Sequence, residues 1–262
     1  MLQTIRIEEK ILGKNEELAL RNRQRFDSSG IFAITLSGSP GGGKTSLLEC
    51  AIPKLQLFLR VGVVEGDIET DQDGRRIAAL GCPVTQIVTA GTCHLDAGMV
   101  GRALNEMPMD DLDLLFIENV GNLVCPASYS LGEHALVVVI STTEGEDKPL
   151  KYPAMFRKAD AMVLNKLDLS PYVNVDPAAV EAYARRVRPG LPSFRTSCIT
   201  WLGIEEWVAW ILELRHAGCW RRNTREPADH RLREYGSRRR CGRPAGRGPA
   251  NCIGRRGAGT AR

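Results

Sequence analysis

Gly38-Ser39-Pro40-Gly41-Gly42-Gly43-Lys44-Thr45 is the stretch on which the fold turns. It is a complete G-x-x-x-x-G-K-[ST], placed directly after the apolar run 32–36 and directly before an amphipathic stretch over 45–59. Strand, glycine-rich turn and helix in that order make a phosphate cradle. Gly38, Gly41, Gly42 and Gly43 let backbone N–H groups close around phosphate oxygens, and the helix N-terminus adds its positive dipole end. Lys44 reaches the β and γ phosphates, the Thr45 hydroxyl takes Mg2+, and Ser46 follows on the same turn.

Outward from this motif, short apolar runs alternate with amphipathic stretches, the pattern of an α/β fold whose mostly parallel sheet is covered by helices. The runs 32–36, 61–65, 84–88, 114–118, 136–141, 161–165 and 193–197 predict about seven strands. Helices are expected at 45–59, 94–107, 152–158 and 177–188, with Pro177 at a helix start. A closing helix at 204–215 places Ile204, Trp207, Val208, Ile211 and Leu214 on one face. Before the sheet, residues 5–26 read as a helix packed through Ile7, Ile11, Leu18 and Phe26.

Three further stretches belong with the cradle. Leu114-Leu115-Phe116-Ile117-Glu118 is an apolar strand ending in a carboxylate, the form of a Walker B element that holds Mg2+ directly or through water. Asp67 and Asp73 follow the 61–65 strand, in loops that face the nucleotide in such sheets, and each also suits a plain helix cap. Of the two, Asp73 is the better placed for the γ phosphate. Asn165-Lys166-Leu167-Asp168 closes another strand and fits the N-K-x-D signature of guanine recognition. A carboxylate at Asp168 accepts from N1–H and the exocyclic amine of guanine, a donor pair that adenine lacks. Asn165 would tie this loop to the cradle, and the Lys166 stem would cover the base.

Cys93-His94 and Cys125 also follow strand ends, so they share one face of the sheet. Thiolate with imidazole suits Zn2+ or Ni2+ rather than Mg2+. Buried thiols and a capping histidine fit the same spacing. His134, His216 and the other cysteines show no partner pattern and read as structural.

Charge and composition bound the rest. The formal charge of +4 divides unevenly: residues 221–262 carry 13 Arg and three acidic residues, a net of +10, which leaves residues 1–220 at −6. The organisation expected is an N-terminal helical segment at 1–30, a P-loop GTPase domain at 31–218, and an Arg/Gly-rich, disordered tail at 219–262. With Tyr235 the only Phe, Trp or Tyr in 221–262, the tail lacks the stacking spacing of a single-strand binder, and nucleic acid is not an expected partner. No apolar run reaches the roughly 20 residues a membrane span needs, and no signal-peptide core opens the chain. The protein reads as cytoplasmic, with no membrane partner.

Taken together, Gly38–Thr45, Gly66–Asp71, Cys93–Ala97, Phe116–Pro126, Thr143–Pro149 and Asn165–Asp168 resemble the HypB family, the SIMIBI-class GTPases of [NiFe]-hydrogenase maturation. The likeness spans about residues 1–215, and Glu118-Asn119-Val120-Gly121-Asn122-Leu123-Val124-Cys125-Pro126 is its most specific part. The resemblance implies a GTP-dependent homodimer that carries Ni2+ or Zn2+ at its interface through Cys93, His94 and Cys125. It further implies a HypA-like nickel chaperone and the hydrogenase large subunit as partners, Asp73 as the switch ligand of Mg2+, and Lys151 as a residue approaching nucleotide near the dimer contact. Departures from the family are visible. The first cysteine is Cys50 and the first histidine His94, so N-terminal nickel storage is expected to be absent. Ile199 and Trp201 stand where the family guanine loop has Lys and Gly, which would weaken base binding. A urease-accessory GTPase of the UreG type is the nearest alternative, although Ala127 replaces the histidine of its Cys-Pro-His. A nonenzymatic nickel-binding chaperone and an RNA-binding GTPase using the Arg tail are the others.

Overall fold

The computed structural model describes residues 7–217; the tail expected to be disordered lies outside the described residues. Seven strands form one wholly parallel sheet: β1 (Phe32–Gly38), β2 (Val61–Asp67), β3 (Val84–Val88), β4 (Leu114–Glu118), β5 (Ala135–Ser141), β6 (Ala161–Asn165) and β7 (Ser193–Arg195), in the order β3-β2-β4-β1-β5-β6-β7. β1, β4, β5 and β6 are buried along their whole length, which explains their unbroken apolar sequence. The helices are α1 (Ile7–Ser29), α2 (Lys44–Leu55), α3 (Gln72–Ala78), α4 (Ala97–Ala103), α5 (Lys148–Lys151), α6 (Pro153–Lys158), α7 (Pro177–Val187) and α8 (Ile204–Ala217). Among them none is long and apolar enough to cross a membrane.

Two apolar clusters lie side by side on one face of the sheet. Phe26, Leu95, Val100 and Leu104 pack on Val64, Leu115 and Ile117, while Phe156, Val180 and Ala184 pack with Val138, Ile140, Met162 and Leu164. Trp207 of α8 is fully buried, its ring 6.2 Å from that of Phe116.

Several boundaries differ from the sequence reading for local reasons. The helix expected at 94–107 starts only at Ala97, because the Asp96 side chain accepts from Met99 N and caps it. His94 is thereby left in a loop. Pro177 does open α7, with Asp176 as its cap. The inward face of α1 is Asn15, Ala19, Asn22 and Phe26, whereas Ile11 is exposed. Asn15 donates to Ser130 O and accepts from Ala97 N, and Asn22 donates to Ala97 O and Leu131 O. The helix is docked by buried amides as much as by apolar contact, which a search for apolar periodicity does not detect.

Candidate functional site

Parallel pairing brings the C-terminal ends of β1, β2, β4, β5 and β6 to one edge, and the loops leaving that edge carry the candidate residues. Gly41 and Gly43 have φ of 72° and 91°, a left-handed backbone that lets the loop turn back onto α2. A Cβ on Gly43 would fall 2.4 Å from Asn165 Nδ2, so the loop admits no side chain there. Asn165 Nδ2 donates to Gly42 O at 3.3 Å and Gly43 O at 3.4 Å, joining the N-K-x-D turn to the P-loop. Lys166 has φ 59°, and its side chain runs past Gly43. Asp168 Oδ1 accepts from Ser197 Oγ at 2.6 Å, so the loop after β7 fixes the carboxylate.

Lys44, Thr45 and Glu118 are buried beneath the P-loop. Thr45 Oγ1 donates to Glu118 Oε1 at 2.8 Å, while Glu118 Oε2 is buried with no partner among the described residues. Burial pushes the Glu118 carboxyl up to about 7, although the nearby Lys44 charge and the Thr45 hydrogen bond pull it down. Asp73, on the first turn of α3, comes within 4.8 Å of Glu118, and so does Glu65 inside β2. Glu65 is pushed up to about 8, first by burial and then by the charge of Glu118. Three hard oxygen donors with an orphaned buried oxygen suit Mg2+. The sequence reading overlooked Glu65, because only the pairing of β2 with β4 sets it opposite Glu118. It overlooked Arg76 too, whose guanidinium donates to Asp73, Glu49 and Ser46.

Two predicted residues stand apart. The Asp67 carboxylate turns onto its own loop and accepts from the Glu69 and Thr70 amides, so it acts as a turn cap and is not part of the carboxylate cluster. Lys151 is exposed and pairs with Asp147 at 2.8 Å.

Cys93, His94 and Cys125 form a second cluster, with their ligand atoms all within 4.8 Å and the two Sγ atoms 3.2 Å apart. The hydrogen bond between the thiols, together with burial, raises the Cys93 pKa. Burial lowers that of His94, which favours the neutral imidazole that binds metal. The His94 ring packs on Tyr129 at a tilt of 36° with centroids 4.1 Å apart, and its Nδ1 is buried without a partner among the described residues. Two thiols and an imidazole with ligand atoms within 4.8 Å of one another fit Ni2+ or Zn2+.

Residues 32–195 match the family model of the CobW/HypB/UreG nucleotide-binding domain. The hydrogenase maturation factor HypB of Azotobacter vinelandii is 54% identical over 209 residues, covering 79% of this chain and 68% of that protein. This chain belongs to the HypB family. A probable HypB of Methanocaldococcus jannaschii is 40% identical over 205 residues, covering 78% of this chain and 93% of its own. The crystal structure of HypB from Helicobacter pylori in complex with nickel superposes with a TM-score of 0.74 at 34% identity, over 81% of this chain and all of that one. HypB from Archaeoglobus fulgidus gives a TM-score of 0.73 at 36% identity, over 78% and 99%. The HypB fold thus accounts for the whole sheet described above.

Proposed function

We propose that the protein is a GTP-hydrolysing nickel metallochaperone of [NiFe]-hydrogenase maturation. In this reading it binds Ni2+ or Zn2+ through Cys93, His94 and Cys125 at a GTP-dependent dimer interface. One observation carries it: the segment from Glu118 to Cys125 is fastened at both ends to the two chemistries. Gly38 bridges Asn122 in antiparallel fashion, and a Cβ on Gly121 would lie 2.9 Å from Pro40 Cα, so the segment rests on the P-loop. Asn119 accepts from Leu95 N and Asn122 donates to Cys93 O, so it also grips the Cys93 loop. A change at the nucleotide reaches the thiols through a handful of contacts.

The roles follow from placement. Lys44 and the P-loop amides hold the phosphates, with Ser46 flanking them. Thr45, Asp73 and Glu118 hold Mg2+, which supplies charge neutralisation at the phosphates when bound. Asn165, Lys166 and Asp168 frame the guanine. A HypA-like nickel donor and the hydrogenase large subunit as acceptor complete the proposal, with the nickel complex of the Helicobacter pylori relative in support. The nonenzymatic alternative rested on the altered guanine loop, yet the bond from Ser197 to Asp168 keeps that loop against the N-K-x-D turn.

Single-turnover hydrolysis of GTP tests the enzymatic part. The wild type should release phosphate, and Lys44→Ala should lose that release while its circular dichroism stays native. Equal turnover in both would remove the P-loop from the chemistry.

A further inference from the structure

Glu65 is the buried carboxylate of that oxygen cluster to which the proposed function assigns no role. It lies in direct lateral register with Glu118 on the neighbouring parallel strand, so both side chains leave the same face of the sheet at the same level. Glu65 and Glu118 are 2% and 3% exposed, and water does not screen them from each other. A purely structural pair would be expected to satisfy its oxygens within the fold. Instead Glu118 Oε2 has no partner among the described residues, and Glu65 and Asp73 both reach within 4.8 Å of Glu118.

The opposite side of Glu65 is pinned. Gln86 on β3 donates to Glu65 Oε2, which leaves the other oxygen uncommitted. Gln86 Oε1 lies against α3 at Gly74, where an added Cβ would collide with it, and has no hydrogen-bond partner among the described residues. Asp73 precedes that glycine. Gln86 therefore sits between Glu65 and the turn of α3 that carries Asp73.

Resting on the nucleotide-binding reading, we propose that Glu65 is a further carboxylate of the divalent-cation site, acting on the cation through bound water, and that Gln86 is its positioning residue. An outer carboxylate of this kind tunes metal affinity without contacting the nucleotide.

The test uses Mn2+ as the probe, titrated into full-length GDP-bound protein and followed by electron paramagnetic resonance, so the readout is cation affinity rather than turnover. Glu65→Gln keeps the shape, removes the carboxyl group that can ionise towards a cation and should weaken Mn2+ about tenfold, the lower end of the loss seen for outer-shell partners. GDP affinity without cation should be unchanged. Gln86→Met frees the Glu65 side chain and should weaken Mn2+ by a smaller factor; if Glu65→Gln fails to fold, this second variant decides. Mn2+ affinity within twofold of wild type in the folded variants would overturn the role of Glu65 alone, provided that Glu118→Gln still weakens it. Failure of the wild type to bind Mn2+ in a GDP-dependent way would overturn the nucleotide reading and this proposal with it.

Discussion

Asp168 shows how a single side chain is prepared for a task. Ser197 holds one of its oxygens at 2.6 Å, so the carboxylate is oriented before any base arrives. Asp168→Asn should lower GTP affinity by about 1.5–3 kcal/mol, the worth of a hydrogen bond to a charged group, and shift preference towards xanthine nucleotide. Competition titrations with GTP, XTP and ATP check this, and an unchanged order of preference would speak against the base assignment. Trp201 is a different case. It is half-exposed and has φ 62°, a left-handed conformation for which the family loop supplies glycine, and Lys54 lies over its ring at 5.5 Å. Trp201→Ala keeps the strained backbone and loses the cation contact. Trp201→Gly should be more stable than Trp201→Ala by about 1 kcal/mol, read as a difference in urea midpoints.

At the scale of elements, the join of β2, β4 and α8 is fastened by one carboxylate. Asp113 accepts from the Arg60 backbone N and guanidinium and pairs with Arg215 of α8. Burial pushes its carboxyl up, but the Arg60 hydrogen bonds and the charges of Arg60 and Arg215 outweigh that and leave it below its ordinary value of 3.8. A depressed carboxyl stabilises the fold above its unfolded pKa, and the gain fades as pH falls through the folded value. Asp113→Ala should therefore cost about 1–2 kcal/mol near neutral pH, with the gap to wild type closing in acid. Denaturant melts at neutral pH and near pH 3 check both parts. The strands were legible in the sequence because buried parallel strands are continuous apolar runs, as in Leu114–Glu118. The seven-residue helix α3 was not, since Gln72–Ala78 buries only Gly74 and Ile77 and has no apolar stripe to read. Chemistry followed the same division. Lys44, Asp168 and Cys125 sit in local motifs, whereas Glu65 acquires its neighbours only when β2 pairs with β4.

At the scale of the whole molecule, the proposed function couples nucleotide and metal through the Glu118–Cys125 segment. Linkage then requires the effect to run both ways, with nucleotide altering metal affinity by the factor by which metal alters nucleotide affinity. In the proposed metal site, Cys93, His94 and Cys125 of one chain leave a coordination position open, which suits release of the metal. The most direct measurement is equilibrium dialysis of Ni2+ against the wild type in its GDP state and with a nonhydrolysable GTP analogue, with Cys93→Ala and Cys125→Ala alongside. Ni2+ affinity should differ between the two nucleotide states and be largely lost in both variants, while their GTP affinity is retained. Identical Ni2+ affinity in both states and in all three proteins would contradict the coupling.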